Sequence, residues 1–134
     1  MAQLNEAQKA FLAEPNFAVV ATVGPDGMPQ TSVVWIDTDG EHVVFNTTGA
    51  RAKTRNLRAN PKVGVTVLDR DDGYRFLEVT GTAVLDEEGA SEHIEFLSHK
   101  YDGRPFTGPP GRVIVRVTPQ RIEDHHVTVR LTSR

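Results

Sequence analysis

FAVVATVGPDGMPQTSVVWID, residues 17–37, holds two β-rich runs broken by a short turn, and that spacing decides what kind of sheet the chain can build. FAVVATV (17–23) and QTSVVWID (30–37) carry the residues that fit a pleated surface, while GPDGMP between them supplies Gly, Pro and Asp, each able to reverse a chain. A crossover to a parallel neighbour needs about a dozen residues or more, so these runs pair as an antiparallel hairpin. TDGE (38–41) turns again into HVVFNT (42–47), a third strand.

Further along, KVGVTVLD (62–69) reads as a fourth strand, and RDDG turns into YRFLEVTGTAVLD (74–86), a long fifth strand whose Gly81 marks a bulge or bend. VIVRVTPQRIE (113–123) supplies the sixth, and the tail HHVTVRLTSR (125–134) reads as a frayed strand or an edge partner. Three helices interrupt this pattern. LNEAQKAFL spaces Leu4, Ala7, Phe11 and Leu12 helically, with Asn5 as cap and Gln8 three residues later. Residues 50–60 lie between Gly49 and a helix-stopping Asn-Pro, and 87–101 carries Ile94, Leu97 and Tyr101 on one face. The expected fold is mainly β: a six-stranded antiparallel barrel, closed or split, with short helices after the third and fifth strands. Side chains fill the interior of so small a barrel, which puts a ligand site on its outer wall or at a subunit interface.

At 134 residues the chain reads as one domain, 1–134, with enough apolar content to fold unaided. It contains no cysteine, which removes disulfides, thiolate metal sites and cysteine nucleophiles and accords with a reducing cytoplasm. Charges interrupt the first fifteen residues as they would not in a signal peptide, and no apolar run is long enough to span a membrane, so the expectation is a soluble cytoplasmic protein.

Charge is unevenly placed. Residues 42–68 hold Arg51, Lys53, Arg55, Arg58 and Lys62 with no Asp or Glu, a local +5 in a chain of net −3, so the remainder carries −8. One basic patch on an acidic protein argues against a nucleic-acid binder and for a small anion. Arg51, Arg55 and Arg58 form one stripe of the expected helix, and Lys53 and Thr54 sit in its first turn, where free N–H groups and the positive dipole end suit a phosphate. A plain solvated helix face is the competing reading.

Other chemistry finds no support in the residues. There is no G-x-S-x-G, no phosphate-loop or dinucleotide glycine fingerprint, and no metal-ligand spacing among His42, His93, His99, His125 and His126, which read as surface histidines. Asp71 and Asp72 read as turn formers, and Trp35 and Tyr74 as core or interface aromatics. No catalytic side chain and no metal is expected. If the protein is an enzyme, a bound cofactor supplies the chemistry and the chain supplies orientation and electrostatics.

Four blocks in register, FAVVATVGPDGMPQTSVVW, NTTGARAKTRNLRANPKVGV, DGYRFLEVTGTA and RVIVRVTP, carry a resemblance, covering nearly the whole chain, to the pyridoxamine-phosphate-oxidase-like (PPOX class) flavin and deazaflavin oxidoreductases, specifically their coenzyme F-420-dependent branch. The resemblance implies an FMN-binding split barrel that forms a homodimer with cofactor sites at the interface. Arg51, Ala52 and Lys53 would hold the cofactor phosphate, with Thr54 and Asn56 nearby. Gln30, Thr31, Ser32, Val33 and Val34, with Asn46, Thr47 and Thr48, would line the ring, and Tyr74, Arg75 and Phe76 of the other subunit would close the pocket. The implied activity is hydride transfer from reduced deazaflavin to an unsaturated or quinone-like small-molecule acceptor, with Arg55 and Arg58 available to the coenzyme's acidic tail. Flavin mononucleotide (FMN) on the same barrel, or a non-catalytic binder of flavin, haem or another tetrapyrrole, are the alternatives. No second basic cluster is present to hold a substrate phosphate, which argues against pyridoxamine-phosphate oxidation itself.

Overall fold

A computed structural model describes residues 2–129, so residues 130–134 of the expected C-terminal strand lie outside the described residues. Seven strands, β1 (Phe17–Val23), β2 (Pro29–Trp35), β3 (Asp37–Thr38), β4 (Val43–Thr48), β5 (Lys62–Leu68), β6 (Phe76–Asp86) and β7 (Arg112–His125), form one sheet in the order β2-β1-β5-β6-β7-β4-β3. Every ladder is antiparallel. Helices α1 (Glu6–Ala13), α2 (Ala52–Ala59) and α3 (Ala90–Asp102) pack around it.

The sheet order itself requires a barrel. β2 and β3 stand at opposite edges of the sheet, yet only Ile36 separates them along the chain. The sheet must curl until its two edges meet, and there β2 lies beside β4 with no ladder between them. That unpaired seam is the split of an antiparallel split β-barrel. The run expected as one strand over 30–37 therefore breaks at Ile36, adding a two-residue strand to the six long ones.

Inward-facing residues of all six long strands fill the barrel, among them Val20, Phe45, Val67, Leu77 and Val115, joined by Phe11 and Leu12 from α1 and Leu57 from α2. Asn5 and Gln8 form the expected capping box. At Gly81 the β6–β7 register shifts, and a Cβ there would stand 2.0 Å from the Thr118 carbonyl oxygen, so only glycine fits the bulge. Tyr74 and Arg75 fall in the turn before β6 rather than in the strand, because the Arg75 amide bonds back to the Asp72 carbonyl.

Leaving the ladder costs Ile36 its backbone partners, and α3 replaces them. The Ile36 amide donates to Tyr101 Oη at 3.0 Å, Tyr101 donates in turn to the Asn16 carbonyl, and Lys100 Nζ donates to the carbonyls of Ile36 and Leu12. The Tyr101 ring stacks on Trp35 with centroids 5.3 Å apart. Burial pushes the Lys100 ammonium down from 10.5 to about 8, against the pull of Asp37 and Glu14, and pushes the Tyr101 phenol up to about 12.

Tyr101→Phe should lower unfolding free energy by about 1–3 kcal/mol in urea titration, because it strands a buried amide. A loss below about 0.5 kcal/mol would mean the seam has another partner. Unfolded Lys100 keeps its proton up to 10.5 whereas folded Lys100 releases it near 8, so its contribution to stability rises across that window and is lost as pH falls through about 8. Comparing pH–stability curves of wild type and Lys100→Met should show that rise in the wild type alone.

Candidate functional site

The barrel's seam also opens onto apolar walls. A cavity of about 300 Å³ lies there, with Val33, Val34 and Trp35 of β2 on one side, Asn46, Thr47 and Thr48 of β4 on the other, and Ile94 and Leu97 of α3 beside them. Phe17, Phe106 and Pro109 complete the apolar lining, and Arg51, Lys53 and Arg112 supply charge. Among the described residues no Asp or Glu lines it.

The chain turns sharply between β4 and α2, which delivers the cations. Thr54 is fully buried and donates from Oγ1 to the Thr48 carbonyl at 2.6 Å, tying the first turn of α2 to the end of β4. Arg51 occupies the N-cap in an extended conformation with no side-chain cap, which leaves the helix N-terminus facing outward with its positive dipole end. Asn56 Nδ2 donates to Thr22 Oγ1 at 3.1 Å, and Thr22 to Gln30 Oε1 at 3.2 Å, pinning α2 against β1 and β2.

Lys53 is only 6% exposed and has neither an ion pair nor a hydrogen bond among the described residues. Burial, then Arg51, then Arg112 hold its ammonium below the ordinary lysine range, and burial followed by Arg51 does the same to Arg112. Arg112 Nε donates to Asn46 Oδ1 at 2.8 Å, and its guanidinium lies 5.0 Å over the Phe106 ring. Three cations thus crowd a half-apolar cavity with no acid to neutralise them, an arrangement that lowers the cost of bringing in an anion and raises the cost of leaving the cavity empty.

Of the residues expected at the site, Val33, Val34, Asn46, Thr47, Thr48, Arg51 and Lys53 meet at this cavity. Gln30, Thr31 and Ser32 do not line it: they lie farther along β2, and the Ser32 hydroxyl is buried with no partner among the described residues. Ala52 is exposed at the start of α2, while Thr54 and Asn56 act on the backbone and on β1 as described. Tyr74, Arg75 and Phe76 stand away from the cavity of their own chain. Tyr74 is 70% exposed, Arg75 pairs with Asp69 at 3.0 Å and covers the Phe11 ring, and Phe76 stacks on His125.

Sequence reasoning missed Trp35, read as a core or interface aromatic, and Arg112, read only as the residue before the last strand. Arg112 faces Thr48 across the β4–β7 ladder, a pairing that no local pattern announces. Phe106 and Pro109 come from the loop between α3 and β7, folded back so that Phe106 N donates to Glu95 Oε2 at 3.2 Å.

Residues 4–126 match the family described as pyridoxamine 5'-phosphate oxidase. A pyridoxine/pyridoxamine 5'-phosphate oxidase of Rubrobacter xylanophilus is 31% identical over 149 residues, covering 88% of this chain and 69% of that protein. One from Methylibium petroleiphilum is 46% identical over 59 residues, a match covering 43% of this chain and only 28% of that protein. Among solved structures, an F-420 reductase superposes with TM-score 0.78 at 37% identity, over 90% of this chain and 98% of that one.

An ammonium without a partner among the described residues, set beside Arg51 and Arg112 at a half-apolar cavity, is a cost to the ligand-free fold. Lys53→Met should therefore raise the unfolding free energy of the ligand-free protein by about 1 kcal/mol, read by thermal or urea unfolding. A drop instead would show that Lys53 holds the fold and not the cavity's charge.

Proposed function

The chain belongs to the pyridoxamine 5'-phosphate oxidase family of split β-barrel flavin oxidoreductases, and on that premise we propose that it is a coenzyme F-420-dependent reductase of a small unsaturated or quinone-like acceptor. The observation that carries this reading is the convergence of Arg51, Lys53 and Arg112 on a cavity with apolar walls and, among the described residues, no acid. Those residues would hold the cofactor phosphate. Val33, Val34, Trp35, Ile94, Leu97 and Phe106 form walls of the size and apolarity that hold a tricyclic ring and keep water from it.

When bound, the reduced deazaflavin supplies the hydride; the chain binds, orients and excludes solvent. Among the described residues no carboxyl, imidazole or thiol lines the cavity. The likeness to the F-420 reductase structure favours the deazaflavin, and Arg55 and Arg58, both exposed on α2, are free of acidic partners among the described residues and suit its acidic tail. Flavin mononucleotide is the second reading, favoured by the pyridoxamine-phosphate oxidases the chain is similar to.

The cavity is open along an apolar rim, and a second copy of the chain is the natural cover. Phe17 at 48% and Val33 at 68% exposure stand at its rim, and Val19 and Leu68 continue that apolar face along the outside of β1 and β5. In a homodimer, Tyr74, Arg75 and Phe76 of the second copy would approach this rim. Val33→Glu should convert the dimer to monomer in analytical ultracentrifugation and weaken cofactor binding with it; a wild-type monomer that binds cofactor fully would sink the shared site.

Titrating the protein with F-420 and with flavin mononucleotide, followed by fluorescence quenching, should give the tighter dissociation constant for F-420. Tighter flavin binding would transfer the assignment to that cofactor. Lys53→Ala should weaken either by tenfold or more, since a charge-assisted contact of about 1.5–3 kcal/mol is lost. Cofactor uptake without turnover across an acceptor panel would identify a binder and not an enzyme.

A further inference from the structure

Behind Arg112, four polar side chains from four different elements join in one line. Arg112 Nε of β7 donates to Asn46 Oδ1 of β4 at 2.8 Å. Asn46 Nδ2 lies 3.0 Å from the Ala90 carbonyl and 3.1 Å from His93 Nδ1, both on α3. His93 Nε2 lies 3.1 Å from Asp37 Oδ2 on β3, with side-chain exposures of 12% and 18% for that pair. We propose that His93, although it does not line the cavity, is a positioning residue of the anion cradle: it sets the Asn46 amide and, through it, the Arg112 guanidinium.

Donor and acceptor roles in this line are fixed by its neighbours. The Ala90 carbonyl can only accept, so the Asn46 atom facing it is the NH₂ group; Arg112 Nε can only donate, so the atom facing it is the oxygen. The second Asn46 N–H therefore points at His93 Nδ1, which must accept. His93 is held as the neutral Nε2–H tautomer, and the Asp37 carboxylate, accepting that proton, selects it. A hydrogen on Nδ1 would face the Asn46 NH₂ group. Turning the amide to relieve that conflict would set its NH₂ against Arg112 Nε–H, and the arginine would lose the one side-chain acceptor recorded for it. One tautomer alone is compatible with Arg112 aimed into the cavity.

The inference rests on the reading of the cavity as a phosphate-bearing cofactor site, and the experiment separates the two. The ligand-free wild type, labelled with ¹⁵N, should show His93 as the Nε2–H tautomer in long-range proton–nitrogen spectra. His93→Asn keeps an acceptor near the Nδ1 position, and His93→Leu keeps none; both lose the Asp37 contact. His93→Leu should bind flavin mononucleotide and F-420 about tenfold more weakly, and His93→Asn within about threefold of wild type, although both melt at similarly lowered temperatures. An Nδ1–H tautomer, wild-type affinity in His93→Leu, or equal weakening in both variants would overturn the role of His93 while leaving the cavity assignment standing. Failure of the wild type to bind either cofactor would overturn the cavity assignment and the positioning role together.

Discussion

A seven-stranded sheet whose edge strands are separated by one residue, Ile36, has no choice but to close on itself. Closure by a covalent step rather than by a ladder leaves the meeting edges unpaired, and an unpaired edge must find other partners for its backbone. At Ile36 itself those partners are the hydroxyl of Tyr101 and the amine of Lys100, so the last turn of α3 fastens the seam. Beside that fastening β2 and β4 face each other without a ladder, with α2 packed on the β1–β2 side and α3 on the β4–β7 side. The cavity is lined by residues from both sides of that unpaired seam. Its position follows from topology before any functional residue is considered.

The cavity's charge follows from a second constraint. α2 begins directly after β4, and the Thr54–Thr48 bond forces its first turn onto the seam. Arg51 and Lys53 arrive there as neighbours in sequence, Arg112 as a neighbour across a ladder, and burial with mutual repulsion depresses Lys53 and Arg112 alike. In the ligand-free protein this is a cost. An anion bound among them would remove the repulsion and satisfy the donors at one stroke, which is why such a site favours a negatively charged ligand over water.

What the sequence disclosed and what it hid divide along the range of the interactions. The first hairpin and the Asn5–Gln8 capping box depend on residues within a few positions, and Gly81 stands out as a glycine inside a strand pattern although its partner, the Thr118 carbonyl, is remote, so all three were legible. The break at Ile36 was not, because residues 30–37 are uniformly β-forming and the groups that take its amide and carbonyl lie more than sixty positions on. Trp35 reads from sequence as a core or interface aromatic, because its stacking partner, Tyr101, belongs to a different element. His93 was read as a surface histidine for the same reason: Asp37 and Asn46, which bury and orient it, are contributed by strands. The half of the cradle carried by consecutive residues was readable from local pattern, and the half assembled across strands was not.

The four cations of residues 51–58 also prove to be of two kinds. Arg51 and Lys53 line the cavity, whereas Arg55 turns back and donates to the Ala50 carbonyl, and Arg58 occupies the last turn of α2, where a cation stabilises the negative end of the helix dipole. A helix with mean polarity on most of its surface and no acid of its own gains from charges placed in this way. The excess charge in the segment is therefore only partly a measure of ligand charge. Arg112, outside the segment altogether, supplies the third cation of the cavity, so the site's charge comes from three dispersed positions rather than from the Arg51, Arg55 and Arg58 stripe of α2.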